Sequence, residues 1–170
     1  MTRTRIAPNG PEFSRLVFGT WRVLDDKESA SPAELLKRLQ LCADLGITTI
    51  DTAEIYGLYR VEEAIGAALK LDAGLRSKLE IVTKCGIYVP CEFHPDRKVA
   101  HYNLTAARII KSTEKSLRLM GIDHIDLLLV HRPDWLTSAD ETAEGLKSCS
   151  KTARSAAPAS RITTCISSPC

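Results

Sequence analysis

Apolar runs alternate with amphipathic helical stretches along this chain, and nothing else in the sequence narrows its fold as much. "TTIDT" (residues 48–52), "LEIVTKCG" (79–86) and "IDLLLVHRP" (125–133) are short, apolar and rich in β-branched residues. Between and after them lie "VEEAIGAALKL" (61–71), "TAARIIKSTEKSLRLMG" (105–121) and the helix opening "SADETAEGL" (138–146), whose apolar residues recur at helical spacing. Continuous apolar strands alternating with helices specify βαβ units and a parallel sheet covered by helices, so the class is α/β.

The same logic extends toward the N-terminus. Residues 4–20 read as a hairpin around "PNGP", with Asn9-Gly10 as the turn, followed by a buried strand, "RLVFGT". "SPAELLKRLQLCADLG" (31–46) is the clearest helix. Ser31 stands as N-cap, Pro32 in the first helical position and Glu34 as reciprocal capping-box partner, and Gly46 is the stop. Leu35, Leu36, Leu39, Cys42 and Ala43 fall on one face of it. Ser138 and Glu141 repeat the capping-box spacing.

No G-x-G-x-x-G follows the first strand, which favours a (β/α) barrel over a doubly wound nucleotide-binding sheet. A complete barrel takes eight units and typically about 250 residues. Four strands and three complete helices can be counted here, in 170 residues, so the expectation is the N-terminal half of a (β/α)8 TIM barrel.

Composition excludes some partners. The net charge of +2 spreads over 23 basic and 21 acidic residues with no block of either sign, which argues against a nucleic-acid face or a membrane anchor and for a small-molecule partner. The start "MTRTRIAPNGPEFSRL" has no apolar stretch behind its arginines, and nowhere do about 18 apolar residues run together. The expected location is the cytoplasm. Of the six cysteines, Cys42 lies on an apolar helix face, and Cys85 and Cys91 fit no metal spacing, so reduced thiols and no metal are expected. His94, His101 and His124 show no partner spacing.

The second strand ends in Asp51, the third in Lys84 and the fourth in His131, with Tyr56 in the loop after Asp51. Singly, each has a bland explanation: Asp51 satisfying loop amides, Lys84 reaching solvent past its strand, His131 hydrogen-bonded in the core, Tyr56 packing with a wet hydroxyl. Jointly they point to a reaction centre, because the carboxyl ends of parallel barrel strands share one rim. A tyrosine with an ordinary pKa near 10 is a poor acid at neutral pH unless a cation lies beside it. Lys84 supplies that cation, Asp51 pairs with the lysine, and His131 hydrogen-bonds a substrate carbonyl. The side chains supply no electron donor. Two other readings stay open: Lys84 as a Schiff-base nucleophile in a lyase, and a half-barrel that binds or regulates without catalysis.

At "IDTAEIYG", "IVTKCG" and "LLLVHRPD" the sequence resembles the aldo-keto reductase family, most closely its bacterial predicted-oxidoreductase branch. The N-terminal hairpin, "FGTW" (18–21), "EEAIGAAL" (62–69) and "KSTEKSLRLMGIDHIDLLLVHRPD" (111–134) extend the resemblance over residues 5 to about 147. It implies a tetrad of Asp51, Tyr56, Lys84 and His131, with Tyr56 as general acid, and reduction of an aldehyde or ketone to an alcohol. It implies a nicotinamide cofactor, usually NADPH, with NADH the alternative, near Gly19, Thr20, Trp21 and Asp51. Trp21 and Tyr88 would wall the substrate side.

The resemblance stops after Leu146. The family continues with a fifth-strand segment of the type G-K-V-R-x-x-G-V-S-N-[FY], whereas residues 148–170 read as a Ser/Ala/Thr-rich tail without strand periodicity and with three of the six cysteines. A reading frame displaced by one base accounts for it. Ala159 to Thr163 permit hidden codons for Gly, Val, Ser, Asn and Tyr, the missing motif. Residues 1–147 are thus expected to belong to the barrel and 148–170 to an out-of-frame tail, created by a frameshift near residues 147–149.

Overall fold

The structure, a computed structural model, describes residues 2–8, 10–26, 30–96, 98–156 and 162–164, the backbone alone for 151–156 and 162–164. Strands β1 (Arg3–Arg5) and β2 (Glu12–Ser14) form the antiparallel hairpin, pairing Arg3 with Ser14 and Arg5 with Glu12. The Gly10 amide donates to the Ala7 carbonyl across the turn at 3.0 Å, and Asn9 lies outside the described residues. Then come β3 (Val17–Gly19), α1 (Pro32–Asp44), β4 (Thr49–Asp51), α2 (Val61–Leu71), a 3-10 turn (Leu75–Lys78) and β5 (Glu80–Cys85). A small hairpin of β6 (Ile87–Tyr88) and β7 (His101–Tyr102) precedes α3 (Ala106–Met120), β8 (Ile125–Val130), α4 (Ala139–Ala156) and β9 (Ile162–Thr164). The central sheet has the order β3-β4-β5-β8-β9 and is parallel throughout.

Side chains alternate across a strand with period two, and this alternation sorts the sheet into two faces. Phe18, Ile50, Ile81, Cys85 and Leu128 point to the helices, where they pack with Leu35 and Leu39 of α1, Ile65 and Leu69 of α2, Ile109 and Met120 of α3 and Leu146 of α4. On the opposite face Val82, Leu127 and Leu129 meet Phe13 of the hairpin. The hairpin is fastened there by Ser14, whose hydroxyl oxygen accepts from the amides of Thr48 (3.1 Å) and Thr49 (3.0 Å) at the start of β4. It therefore covers the amino ends of the strands and leaves the carboxyl ends open.

Three expectations need correction. The first barrel strand is not buried: β3 is an edge strand, and Val17 is 50% exposed because no described strand lies on its far side. Both capping boxes form in one direction only. Ser31 Oγ accepts from the Glu34 amide and Ser138 Oγ from the Glu141 amide, each at 3.2 Å. The Glu34 carboxylate turns instead to Lys37 (2.6 Å), and that of Glu141 accepts from the Ala106 amide (3.3 Å), which opens α3. Finally, residues 148–170 are not without strand structure. The helix α4 runs on to Ala156, and β9 pairs with β8 in parallel, Ile125 against Ile162 and Leu128 against Thr164. An open strand edge accepts any main chain, and Ile-Thr-Thr favours extended backbone.

Candidate active site

The period-two alternation that buries Ile50, Ile81 and Thr83 toward the helices places Asp51, Lys84 and, one step beyond β8, His131 on the other face. Each sits two residues after an inner-face neighbour: Thr49, Val82 and Leu129. All three stand at the carboxyl ends of adjacent strands, and the His131 amide, donating to the Cys85 carbonyl at 3.0 Å, prolongs the β5–β8 ladder.

Lys84 is the centre. Its Nζ donates to Asp51 Oδ2 at 2.7 Å, to the Thr52 carbonyl at 2.9 Å and to the Tyr56 hydroxyl at 3.1 Å. An ammonium has three protons and no acceptor, so these three bonds use it fully. Lys84 donates to the phenol oxygen, and no described residue accepts a hydrogen bond from the Tyr56 hydroxyl. The ring of His131 meets that of Tyr56 edge-on, centroids 5.9 Å apart, and Trp21 lies near-parallel to it at 6.3 Å. Trp21 is 68% exposed. Burial holds the His131 pKa below the usual 6.5, and the charges of Lys84 and Arg132 add to this against the opposing Asp51. At neutral pH the imidazole is uncharged, with one N–H to donate.

The structure brings Asp51, Tyr56, Lys84, His131 and Trp21 together, and places Gly19 beside Asp51 in the β3–β4 register. Thr20 and Tyr88 have partners within the fold. Thr20 is fully buried and donates both its amide and its hydroxyl to the Asp51 carbonyl, each at 2.9 Å. It braces β3 against β4. Tyr88 is buried, stacked on His101 with centroids 4.8 Å apart and covered by the Arg108 guanidinium 3.9 Å from its ring centroid. Cys42, Cys85, Cys91 and Cys149 are free, and burial pushes the Cys85 thiol up to about 12. Among the described residues no group of three or more His, Cys, Asp or Glu side chains could hold a metal ion, and no helix is long and apolar enough to cross a membrane.

Sequence reasoning missed three buried charged groups behind the site. Glu54 pairs with Arg108 of α3, and Glu62 of α2 accepts from Thr83 Oγ1 (2.7 Å) and Ser116 Oγ (3.0 Å). A signal existed for one of them. Arg108, Ser112, Ser116 and Met120 recur every fourth residue and are all buried, so a guanidinium lies on the inward stripe of α3 and requires a partner there.

Residues 15–154 match the pattern of the "Aldo/keto reductase family". The chain is 51% identical over 135 residues to the 6-dehydroglucose reductase of Agrobacterium fabrum, covering 79% of this chain and 45% of that protein. It is 48% identical over 145 residues to oxidoreductase YdhF of Escherichia coli, covering 85% and 47%. An aldo-keto reductase of Bacillus halodurans in its holo form shares the fold at a TM-score of 0.74, with 22% identity, over 96% of this chain and 50% of that one. The glycerol dehydrogenase of Gluconobacter oxydans does so at 0.73, with 29% identity, over 95% and 47%. The chain spans about half the length of these relatives, and its parallel strands and helices form part of an α/β barrel. On this match of sequence and fold, the chain belongs to the aldo/keto reductase family.

Proposed function

We propose that these residues form the proton-transfer side of a nicotinamide-dependent reductase that converts an aldehyde or ketone to an alcohol. The observation that carries this reading is the triply bonded Lys84, which occupies the Tyr56 oxygen as a donor and leaves the phenol proton unclaimed. Tyr56 gives that proton to the carbonyl oxygen as the carbonyl carbon is reduced, and the Lys84 ammonium stabilises the phenolate left behind. Asp51 fixes Lys84 in line. Neutral His131 donates its N–H to the same carbonyl oxygen and sets the angle of approach. The three donor bonds of Lys84 also speak against its use as a Schiff-base nucleophile, which needs a free amine.

The residues present fit a nicotinamide on this side. A Cβ at Gly19 would meet no atom within 4 Å, so the end of β3 is open, and Trp21 stands exposed beside Tyr56. Gly19, Trp21 and Asp51 would hold the ring. When bound, NADPH, or NADH as the alternative, supplies the hydride that the carbonyl carbon receives.

Residues 1–147 joined to the second half of a complete relative would test the activity. Loss of NADPH absorbance with carbonyl compounds is expected, and the name of the Agrobacterium relative puts oxidised sugars first among them. No turnover with any aldehyde or ketone, in a graft that binds NADPH, would defeat the reading. The 170-residue chain alone is expected to bind NADPH weakly or not at all, and micromolar affinity would contradict that. Residues 148–170 belong, in the same proposal, to a displaced reading frame. Sequencing the gene onward from the codon for Glu144 decides: a frame resuming with G-K-V-R and G-V-S-N-[FY] supports it, and its absence in every register overturns it.

A further inference from the structure

The turn after Tyr56 has an unusual backbone. Gly57, Leu58 and Tyr59 follow one another with φ of 56°, 54° and 70°, in the left-handed region that residues with a side chain avoid. Such a run persists only where its surroundings over-determine it. Two anchors do so here, one on each side of Tyr56. Glu54, two residues before, is buried and paired with Arg108 of α3, while its amide donates to the Lys84 carbonyl at 3.0 Å. Tyr59, three residues after, is buried too. Its hydroxyl accepts from the Val89 amide at 3.0 Å, its ring meets that of His94 edge-on at 4.7 Å, and Lys115 Nζ lies 4.6 Å from the ring centroid.

Both anchors end on the same support. Arg108 and Lys115 belong to α3, and Val89, His94 and the Tyr88 ring under Arg108 belong to the segment after β5. The Glu54–Arg108 pair is not arranged for stability alone, since Glu54 Oε2 and Arg108 Nε are buried without a hydrogen-bond partner. Buried ion pairs are a weak source of net stability, and in some proteins they serve to fix geometry.

We propose that Glu54 and Tyr59 are positioning residues, which clamp the left-handed turn from both sides and so hold the Tyr56 hydroxyl against Lys84. The inference rests on reading Tyr56 as the proton donor, but its test does not need turnover. If either anchor is released, the turn relaxes toward ordinary φ values, the Cα–Cβ direction of Tyr56 swings, and Lys84 loses one of its three acceptors.

Competitive labelling of the full 170-residue chain with trace acetic anhydride reads this directly, with exposed Lys70 and Lys78 as internal references and mass spectrometry as the readout. Lys84 is expected to label slowly. Tyr59→Phe, and Glu54→Gln combined with Arg108→Met, are each expected to raise its relative rate about tenfold, the protection one charge-assisted hydrogen bond confers. The double substitution avoids stranding a buried guanidinium, which could unfold the chain. Glu62→Gln serves as the control, a buried carboxylate bonded to β5 and α3 but outside the turn. Lys84 kept slow in both variants would overturn the proposal and leave the reading of the site intact. An equal rise in Glu62→Gln would assign the effect to general loosening and overturn it as well. A wild-type Lys84 as fast as Lys70 would overturn the proposal and the site together.

Discussion

Lys84 has as many protons as acceptors, and that equality makes the site sensitive to single substitutions. Replacing it by Met removes the cation beside both Tyr56 and His131. The His131 titration, followed by NMR, is expected to have its midpoint below 6.5 in the wild type and to move back toward 6.5 in Lys84→Met, because the Lys84 charge contributes to the depression. A wild-type midpoint at or above 6.5 would contradict the geometry. The sign for stability follows: a histidine depressed in the folded state supports the fold above its unfolded pKa near 6.5, and this support is lost as pH falls through the folded value. The placement of Asp51, Lys84 and His131 at neighbouring strand ends was legible in the sequence because each is the polar residue that ends an apolar strand. The bond from the Thr20 hydroxyl to the Asp51 carbonyl was not legible, since nothing in "FGTW" tells whether a hydroxyl reaches for a ligand or for the neighbouring strand. Glu54 was not legible, because its partner Arg108 lies 54 positions away.

At the level of elements, α2 carries two features that its amphipathic pattern conceals. Glu62 stands in the first turn, where a carboxylate is ordinarily read as favourable to the helix dipole. Here burial pushes it up to about 7 against the lowering effect of Thr83, Ser116 and Lys115. A raised carboxyl supports the fold fully below its unfolded pKa near 4.5, and that support is lost as pH rises through about 7. The shift corresponds to a loss on the order of 3 kcal/mol. Glu62→Gln keeps an acceptor for one hydroxyl and is expected to raise the melting temperature at pH 8 while changing it little at pH 4. Equal effects at both pH values would contradict the assignment. Gly66 faces α3, and a Cβ there would run into the Leu119 carbonyl. Gly66→Ala is expected to destabilise by about 1–3 kcal/mol in urea unfolding, the range for overpacking, despite its better helix propensity. The boundaries of α2 matched the sequence pattern because periodicity and the loop residues around it agree. The position of β9 could not be read, because pairing with an open edge depends on the edge and not on the pairing segment's own pattern.

For the whole molecule, the parallel sheet with its covering helices was legible from the alternation of strands and helices, and the fate of the edges was not. Leu16 and Val17 at β3, and Leu41 and Leu45 at the end of α1, are all about half exposed or more. A sheet edge with apolar neighbours recruits other chains. Sedimentation is expected to show association at concentrations on the order of tens of micromolar, reduced by Val17→Lys. Monomers at all concentrations would contradict this. Carbonyl reduction through Tyr56 is tested most directly by one comparison: kcat for an aldehyde with NADPH, for residues 1–147 joined to the second half of a complete relative, with and without Tyr56→Phe. The expected result is a fall of about 10²- to 10⁴-fold in kcat, the range for losing a general acid, with NADPH affinity unchanged. Undiminished kcat in Tyr56→Phe would show that the phenol proton is not the one transferred.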